Sequence, residues 1–383
     1  MKICFSWESI VPFNAGAHGD ISQVMGMLKG LADRGYEVHF VSLHPGEIKG
    51  LGKVIIHQVP NSKNSLPREQ KLMEYIAKLH HSINFDIFHF RSQNLVLLTK
   101  KHFPDKPCFY TMMPFYFITK NKNDFKKEQE VINACDRVVV FTNNWKNYYQ
   151  KVYSVSPKKL ELIRVGVDES IINNKVENKN TPNKSTIGYF GGVREDYGLE
   201  PMLNTIAALK QEKKNVWELM IAGTGNKQYL ETLKNLTKKL NIQDDVKFLG
   251  YIPREEIFKY MSQCSIAVNL RVDRTPDKQR GFDYSVPIKV VEYMLAGVPV
   301  VGSNDGGMKE LLGRDYPLLV NPHSLKEITT AIKKVSFDPQ LRRKIIETNK
   351  EKAAPFLNSS VINNYISAYQ TILSETANGD LKD

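Results

Sequence analysis

The stretch Tyr284-Ser-Val-Pro-Ile-Lys289-Val-Val-Glu292-Tyr-Met-Leu-Ala-Gly297-Val-Pro-Val-Val301 carries the most informative pattern in the chain. Its Ser-x-Pro start favours a helix, with Ser285 predicted as the N-cap residue. Gly297 predicts the end of that helix, and the apolar run after it predicts a buried strand. The stretch therefore predicts a helix that leads into a strand of an α/β sheet.

Lys289 and Glu292 are three residues apart, so they lie on one face of the predicted helix. The open amides of a helix start attract a phosphate group, and a nearby lysine adds a point charge. A carboxylate can accept hydrogen bonds from both hydroxyls of a ribose. The alternative is a surface Lys–Glu pair, which contributes about a few tenths of a kcal/mol.

Strand-like apolar runs alternate with longer helical patterns on both sides of this stretch. The alternation predicts parallel sheets covered by helices. A polar, Asn- and Lys-rich segment at residues 171–184 predicts a linker. We therefore expect two Rossmann-like domains that face a ligand cleft. The first is predicted at 1–170 with a returning helix at about 360–383, and the second at 185–359.

The chain carries 53 basic and 41 acidic residues, a formal net charge of +12, which favours anionic partners. Solvated surface lysines and a patch for an anionic membrane are two open explanations. No nucleic-acid-binding motif accompanies the charge, so we expect no nucleic acid partner. The four cysteines lack metal-ligand spacing. With no signal peptide or membrane span in the sequence, we expect a cytoplasmic protein, either free or at the inner face of the cell membrane.

Two Rossmann-like domains also occur in nicotinamide-dependent enzymes, so that class of enzyme is an alternative interpretation. Its fingerprint is Gly-x-Gly-x-x-Gly directly after the first strand. Here a long loop separates the first strand from Gly16-Ala-His18-Gly, and Gly223-Thr-Gly225 lacks the third glycine. Hydride transfer is therefore not expected.

The stretch at 284–301 closely resembles the donor-binding motif of retaining family 4 glycosyltransferases, in the subgroup with Ser-x-Pro-x-Lys-x-x-Glu-Tyr-Met. Residues 16–19, 163–168, 219–225 and 246–253 resemble further segments of that family in the same order. The resemblance covers nearly the whole chain. It implies the GT-B fold of two facing Rossmann-like domains, and transfer of a sugar from a nucleotide diphosphate with retention of anomeric configuration.

The same resemblance implies the roles of individual residues. Glu292 would bind the ribose, and Lys289 would hold the diphosphate. The other residues predicted to bind the donor are Gly16, Arg194, Tyr251, Ile252, Ser285 and Val286. Those predicted to contact the donor sugar or the acceptor are His18, Asp283 and Tyr284. No metal site and no cofactor are expected.

Three positions in the second predicted domain depart from the family pattern. The earlier of the family's two glutamates is replaced by Tyr284, with Asp283 one position away. The family's Gly-Arg-Leu-x-x-x-Lys-Gly reads Gly-Gly-Val-Arg-Glu-Asp-Tyr-Gly at 191–198, so Gly192 and Tyr197 stand at its arginine and lysine positions. We expect Arg194 or Arg271 to replace the missing positive charge.

In the first domain, Asp86-Ile-Phe-His89-Phe-Arg91 resembles the family's Asp-x-x-His-x-His, which makes His89 and Arg91 the catalytic candidates. His89 could instead be a structural histidine. Arg91 could bind an acceptor carboxylate or phosphate, or form a structural ion pair. The aromatic segment 109–118, with the lysines that follow it, predicts either a core strand with a packed loop or a lipid-facing surface.

The sequence thus predicts a glycosyltransferase that moves a hexose-type sugar to an acceptor hydroxyl in bacterial polysaccharide, glycolipid or glycoconjugate assembly. We expect a UDP- or GDP-sugar donor and a saccharide or lipid-linked acceptor. The alternatives are a GT-B nucleotide-sugar epimerase, a non-catalytic GT-B subunit and a basic nucleic-acid-binding protein.

Overall fold

The computed structural model describes residues 1–7, 19–43, 48, 50–59, 66–113, 115–169, 184–212, 216–273 and 281–379. Gly16, His18 and nearly all of the predicted linker at 171–184 lie outside this part of the chain. The chain divides into two compact units. Unit 1 comprises Met1–Gly166 and Asn358–Asp383, and unit 2 comprises Val167–Leu357.

Unit 1 is built on a seven-stranded parallel sheet with the strand order β3-β2-β1-β4-β5-β6-β7. The strands are β1 (Lys2–Ser6), β2 (Glu37–Ser42), β3 (Ile55–Gln58), β4 (Ile87–Phe90), β5 (Cys108–Thr111), β6 (Arg137–Val140) and β7 (Leu160–Leu162). The helices are α1 (Gly19–Asp33), α2 (Arg68–Ile83), α3 (Gln93–His102), α4 (Phe115–Thr119), α5 (Lys122–Ala134) and α6 (Asn143–Tyr153).

Unit 2 is built on a six-stranded parallel sheet with the order β10-β9-β8-β11-β12-β13. Its strands are β8 (Lys184–Phe190), β9 (Val216–Ala222), β10 (Val246–Gly250), β11 (Ile266–Asn269), β12 (Val300–Ser303) and β13 (Leu319–Val320). Its helices are α7 (Leu199–Gln211), α8 (Lys227–Lys239), α9 (Arg254–Ser262), α10 (Ile288–Leu295), α11 (Gly306–Leu312), α12 (Leu325–Phe337) and α13 (Pro339–Ala353).

The last helix, α14 (Asn358–Asn378), returns to unit 1 and completes its core. Gly30 on α1 makes room for it, because a Cβ at that position would lie 2.6 Å from Cγ1 of Ile362. Tyr369 hydrogen-bonds His89 on β4, and Glu375 forms an ion pair with Arg137 on β6. The helix is therefore part of the fold of unit 1.

Polar N-cap residues begin several of the helices that follow strands. The side chain of Ser92 accepts a hydrogen bond from the amide of Leu95, and Thr142 does the same for Trp145. Both strand orders follow the Rossmann pattern, in which the first strand lies beside the fourth and ligands bind at the carboxyl ends of those two strands. The α/β class with two Rossmann-like parallel sheets is thus confirmed.

All four cysteines are free and buried, which fits their apolar sequence surroundings. No helix in the described part of the chain is both long enough and apolar enough to cross a bilayer.

Candidate functional site

The carboxyl edge of the sheet in unit 2 brings most of the predicted donor-binding residues together. Strand β8 leads into Gly191, and its neighbour β11 leads into Arg271. Strand β12, on the other side of β11, leads into Asp305. Helix α10 carries Lys289 and Glu292. It begins at this edge, because Lys289 in its first turn contacts Tyr189 near the end of β8.

The start of α10 differs from the sequence prediction. The helix begins at Ile288 with Pro287 in the N-cap position, and no side chain in the described residues caps it. Ser285 is therefore not the N-cap residue. Its carbonyl and hydroxyl oxygens instead accept hydrogen bonds from Nη1 of Arg271, at 2.8 and 3.1 Å. The amides of the first helical turn have no capping side chain, as a phosphate-binding helix start requires.

Lys289 reaches from α10 to the end of β8. Its Nζ lies 4.6 Å from the ring centroid of Tyr189 and 3.8 Å from that of Tyr197, and donates to the Tyr189 hydroxyl at 3.0 Å. A Cβ at Gly191 would lie 2.9 Å from the same nitrogen. We call this enclosure by Tyr189, Tyr197 and Gly191 the aromatic slot. Burial, with a smaller effect of the Arg271 charge, lowers the pKa of Lys289 to about 7.

Glu292 lies one turn further along α10. Its side chain is 14% exposed, and its Oε1 lies 3.6 Å from Nη2 of Arg254. Burial raises the pKa of the Glu292 carboxyl, while the charges of Arg254 and Lys289 oppose that rise. A largely buried carboxylate with an exposed arginine as its ion-pair partner can accept hydrogen bonds from ligand hydroxyls.

Arg271 is buried and its charge is already neutralised. Its Nε donates to Oδ2 of Asp305 at 3.0 Å, and its Nη2 also pairs with that carboxylate. Because Nη1 holds Ser285, the guanidinium ties β11, β12 and the turn before α10 together. Arg271 thus shapes the predicted phosphate-binding turn.

Arg194 is also paired with a carboxylate. Its Nε and Nη2 donate to the two oxygens of Asp196 at 3.0 and 2.9 Å, and these hydrogen bonds raise the pKa of Arg194. Its guanidinium lies 5.3 Å from the ring centroid of Tyr197. Both arginines proposed from the sequence as replacement charges are therefore near the slot, and each is bound to an aspartate.

The Gly223-Thr-Gly225 segment has a structural explanation that the sequence did not reveal. The amide of Gly191 donates to the carbonyl of Ala222 at 2.9 Å, and that of Val193 donates to Thr224 at 2.8 Å. A Cβ on Gly223 would collide with the carbonyl oxygen of Gly191. The loops that follow β8 and β9 pack backbone against backbone, with no room for a side chain at Gly223. Their hydrogen bonds hold the two loops together at the carboxyl edge of the sheet.

The remaining predicted residues of unit 2 lie around this edge. Tyr251 follows β10 and is 68% exposed, and Ile252 and Val286 are half-buried. Oδ1 of Asp283 accepts a hydrogen bond from the amide of Gly306 at 2.6 Å, so this carboxylate is bound to the start of α11. Tyr284 is half-buried beside it. Their contacts with a donor sugar stay predictions.

His89 in unit 1 is completely buried. Its Nδ1 lies 2.6 Å from the hydroxyl of Tyr369 and its Nε2 lies 2.6 Å from that of Thr111. Burial, aided by the charge of Arg91, lowers the pKa of His89 to about 3. With both ring nitrogens hydrogen-bonded, the geometry favours the structural interpretation of this histidine over the catalytic one.

Arg91 follows β4, next to the end of β1. It is 5% exposed, and its guanidinium lies 4.8 Å from the ring centroid of Trp7. It lines a small pocket with Phe5, Gln23, Val24, Met27, Thr111 and Tyr365. The largely apolar surroundings leave both sequence interpretations of Arg91 open.

Within the described ranges, no cluster of three His, Cys, Asp or Glu side chains is arranged to hold a metal ion.

Comparison with protein families matches the two halves of the chain separately. A family described as Glycosyltransferase Family 4 matches residues 22–171, and one described as Glycosyl transferases group 1 matches residues 170–352. An uncharacterized glycosyltransferase of Haemophilus influenzae is 24% identical over 86% of this chain and 90% of its own length. A GDP-Man:Man(3)GlcNAc(2)-PP-Dol alpha-1,2-mannosyltransferase of Dictyostelium discoideum is 22% identical over 66% of this chain and 51% of its own length.

The fold also matches solved structures over nearly its whole length. HepE of Anabaena in complex with UDP has a TM-score of 0.74 and 17% identity, over 97% of this chain and 100% of that one. The same protein has also been solved with UDP-glucose, with a TM-score of 0.67. The family models thus indicate a glycosyltransferase in both halves of the chain, and the solved structures match the fold of both units.

Proposed function

From the premise that this chain is a nucleotide-sugar-dependent glycosyltransferase with the GT-B fold, we propose that it moves a hexose to an acceptor hydroxyl with retention of anomeric configuration. The donor is a UDP-sugar or a GDP-sugar. The HepE complex with UDP-glucose supports the first, and the similarity to a GDP-mannose-dependent enzyme supports the second.

The observation that carries the proposal is the grouping of Lys289, Glu292 and the uncapped start of α10 at the carboxyl edge of one Rossmann-like sheet. This edge is where such sheets bind nucleotides. The helix amides and Lys289 would bind the diphosphate, and Glu292 would accept the ribose hydroxyls. The backbone near Tyr251 and Ile252 would contact the base.

The chemistry follows from the charge that develops in the reaction. As the bond between the anomeric carbon and the phosphate oxygen breaks, negative charge grows on the leaving nucleotide diphosphate. Lys289 and the helix amides stabilise that charge in the transition state. The leaving phosphate takes the proton of the acceptor hydroxyl on the same face of the sugar, which retains the configuration. We assign no protein nucleophile and no metal to this step.

We propose that the acceptor is a saccharide or a lipid-linked saccharide in bacterial polysaccharide, glycolipid or glycoconjugate assembly. Ile118 is 72% exposed at the end of α4, where Lys120, Lys122 and Lys126 are also exposed. An apolar tip beside lysines suits the surface of an anionic membrane. Sedimentation with phosphatidylglycerol vesicles, but not with phosphatidylcholine vesicles, would support this contact.

Calorimetric titration with UDP, GDP, ADP and TDP tests the proposed site. We expect one of these nucleotides to bind, and Lys289→Met to weaken that binding about 10- to 100-fold, because a charged hydrogen bond to phosphate is lost. Glu292→Gln should weaken it about 10-fold. The matched control is Lys234→Met, since Lys234 pairs with Glu231 on the exposed surface of α8. If none of the four nucleotides binds the wild-type protein, the proposal is wrong.

Product analysis tests the reaction itself. Incubation of the bound sugar nucleotide with saccharide acceptors should give a glycoside with the anomeric configuration of the donor. Release of an epimerised sugar without an acceptor would instead support the epimerase alternative. Binding without turnover on any acceptor would support the non-catalytic subunit.

A further inference from the structure

The aromatic slot holds Lys289 in an unusual environment for a phosphate-binding lysine. Two ring faces lie within 4.6 Å of Nζ. The hydroxyl of Tyr189 donates to the carbonyl of Gly192 at 2.6 Å, so it is left as an acceptor for Nζ of Lys289. Gly191 closes the third side, because any side chain there would contact the nitrogen. The position of Nζ is therefore fixed before a ligand arrives.

The slot provides no carboxylate to neutralise the ammonium. Within the described residues, no carboxylate oxygen lies within 4.0 Å of Nζ of Lys289, whereas Arg194 and Arg271 are each paired with an aspartate. The rings over Nζ come from β8 and from the turn before α7. The charged groups that act on Lys289 from the surrounding elements are Arg271, Glu292, Asp196 and Arg194.

A buried ammonium without a counter-charge is easily deprotonated, and a bound anion reverses that tendency. The two arginines keep their charge in either state because each is already paired with an aspartate. Among these three cations, only Lys289 can change its charge when a diphosphate binds.

We propose that Tyr189 and Tyr197 are positioning residues that hold Lys289 as a proton-accepting phosphate ligand, so that binding of the donor diphosphate takes up a proton on Nζ. The inference rests on the proposed function, because it assumes that Lys289 contacts the diphosphate. The proton comes from the solvent and converts the amine into an ammonium, which then donates to a phosphate oxygen. The aromatic rings face the ammonium and stabilise the charge as it forms.

The direction of the pH dependence follows from the burial of the lysine. In the folded protein without a ligand, the pKa of Lys289 is lowered to about 7. The side chain is therefore mostly neutral at a pH of about 8 and mostly charged at about 6. A diphosphate raises that pKa, so binding takes up nearly one proton at about pH 8 and almost none at about pH 6. The affinity for the donor should fall as the pH rises above about 7, by at most about tenfold per pH unit.

Calorimetry with the nucleotide sugar of whichever nucleotide binds (UDP-glucose, ADP-glucose, TDP-glucose or GDP-mannose) measures this proton uptake directly, and UDP-glucose is taken as the example. The titration is run at about pH 8 in HEPES and in Tris buffer, and at about pH 6 in MES and in Bis-Tris buffer, because the ionisation enthalpies of the two buffers in each pair differ and none of them supplies a phosphate. UDP-glucose suits the test because its diphosphate carries no proton in this range. We expect the apparent enthalpy to depend on the buffer at the higher pH only. The Glu292→Gln variant should bind UDP-glucose more weakly but take up the same number of protons as the wild type. Because glutamine cannot be protonated in this range, that result would assign the uptake to Lys289.

A pair of variants tests the role of the ring. Tyr197→Phe keeps the aromatic face and should bind UDP-glucose within about twofold of the wild type. Tyr197→Leu removes it and should weaken binding about 3- to 10-fold. Equal affinities of the two variants would argue against a positioning role for Tyr197.

The failures of the two proposals are distinguishable. If the wild-type protein binds none of the four nucleotides and no UDP-glucose, the proposed function is wrong, and this inference is wrong with it because it depends on that function. If UDP-glucose, or the nucleotide sugar of another nucleotide that binds, binds in a manner that depends on Lys289, but the enthalpy at about pH 8 is the same in both buffers, the inference alone is overturned.

Discussion

The two sheets share one strand order but differ in the chemistry of their carboxyl edges. In unit 2, Arg271 and Arg194 are held by aspartates, and Lys289 is held by tyrosine rings. In unit 1, the corresponding edge contains His89, hydrogen-bonded on both nitrogens, and Arg91 against Trp7. The same topology thus supports an edge with several charged side chains in one unit and a largely packed edge in the other. Topology locates a site, but the residues around it decide its chemistry.

The largest expected effect comes from breaking the ion pair that organises the edge of unit 2. Arg271→Met leaves Asp305 buried without its partner and should lower the free energy of unfolding by about 3–5 kcal/mol. It should also weaken UDP binding, because the turn at Ser285 loses its anchor. Urea denaturation measures the first effect and calorimetry the second. The double variant Arg271→Met, Asp305→Asn removes the unpaired charge but keeps an oxygen that accepts from the amide of Met308, so it should recover part of the stability but not the binding.

The exposed Arg314 offers a matched control for this experiment. Arg314→Met should change neither the stability nor the binding by a measurable amount. If Arg271→Met left UDP binding intact while the protein was folded, the role assigned to Arg271 in shaping the site would be refuted.

His89 gives the sharpest test of the packed edge in unit 1. His89→Gln should lower the free energy of unfolding by about 1–3 kcal/mol, because two buried hydrogen bonds are disturbed. The pKa of His89 is about 3 in the folded protein and near 6.5 in the unfolded chain, so the unfolded state binds the extra proton. The wild type should therefore lose stability more steeply than His89→Gln as the pH falls from about 6.5 to 4. Loss of turnover with unchanged stability would instead support catalysis by His89.

Lys289 should be useful for binding and unfavourable for stability. Lys289→Met should raise the free energy of unfolding by about 1–2 kcal/mol near pH 6, because a half-buried ammonium without a carboxylate is removed. The penalty in the wild type is complete below the folded pKa of about 7 and shrinks as the pH rises towards that of free lysine. The difference in melting temperature between the two proteins should therefore be larger at about pH 6 than at about pH 9. A variant less stable than the wild type at both values would show that packing in the slot outweighs this charge effect.

Arg91→Gln should have the smallest effect on donor binding. Arg91 lies in unit 1 against Trp7, so the variant should bind UDP within about twofold of the wild type. Its effect is expected on transfer to an acceptor that carries a carboxylate or phosphate group. A large loss of UDP affinity would show that the two edges are not as separate in function as their chemistry indicates.

Local sequence patterns predicted the elements of the fold well. The alternation of apolar runs gave two parallel sheets, and the spacing of Lys289 and Glu292 placed both residues on α10. The start of that helix was predicted wrongly, because Ser285 is bound by Arg271, which lies 14 residues earlier in the chain. A propensity rule for helix caps cannot anticipate a competing partner from another strand.

Contacts between distant residues account for the rest of what the sequence did not reveal. Arg271 and Asp305 are 34 residues apart, and Lys289 and Tyr189 are 100 apart. No local pattern records such pairs. The sequence did show that Tyr197 stands at a motif position where the family that the chain resembles has a lysine. That departure indicated a changed site, but only the structure shows that the ring contacts a lysine from another helix.

The return of α14 to unit 1 has a consequence for how the protein is made. On the ribosome, the sheet of unit 1 emerges first, yet Tyr369 and Ile362, which complete its core, are synthesised only after all of unit 2. Unit 2 is contiguous in sequence and can fold as soon as residue 357 has emerged. We therefore expect the half that is translated first to finish folding last, with the surface of α1 around Gly30 uncovered until Ile362 has been synthesised.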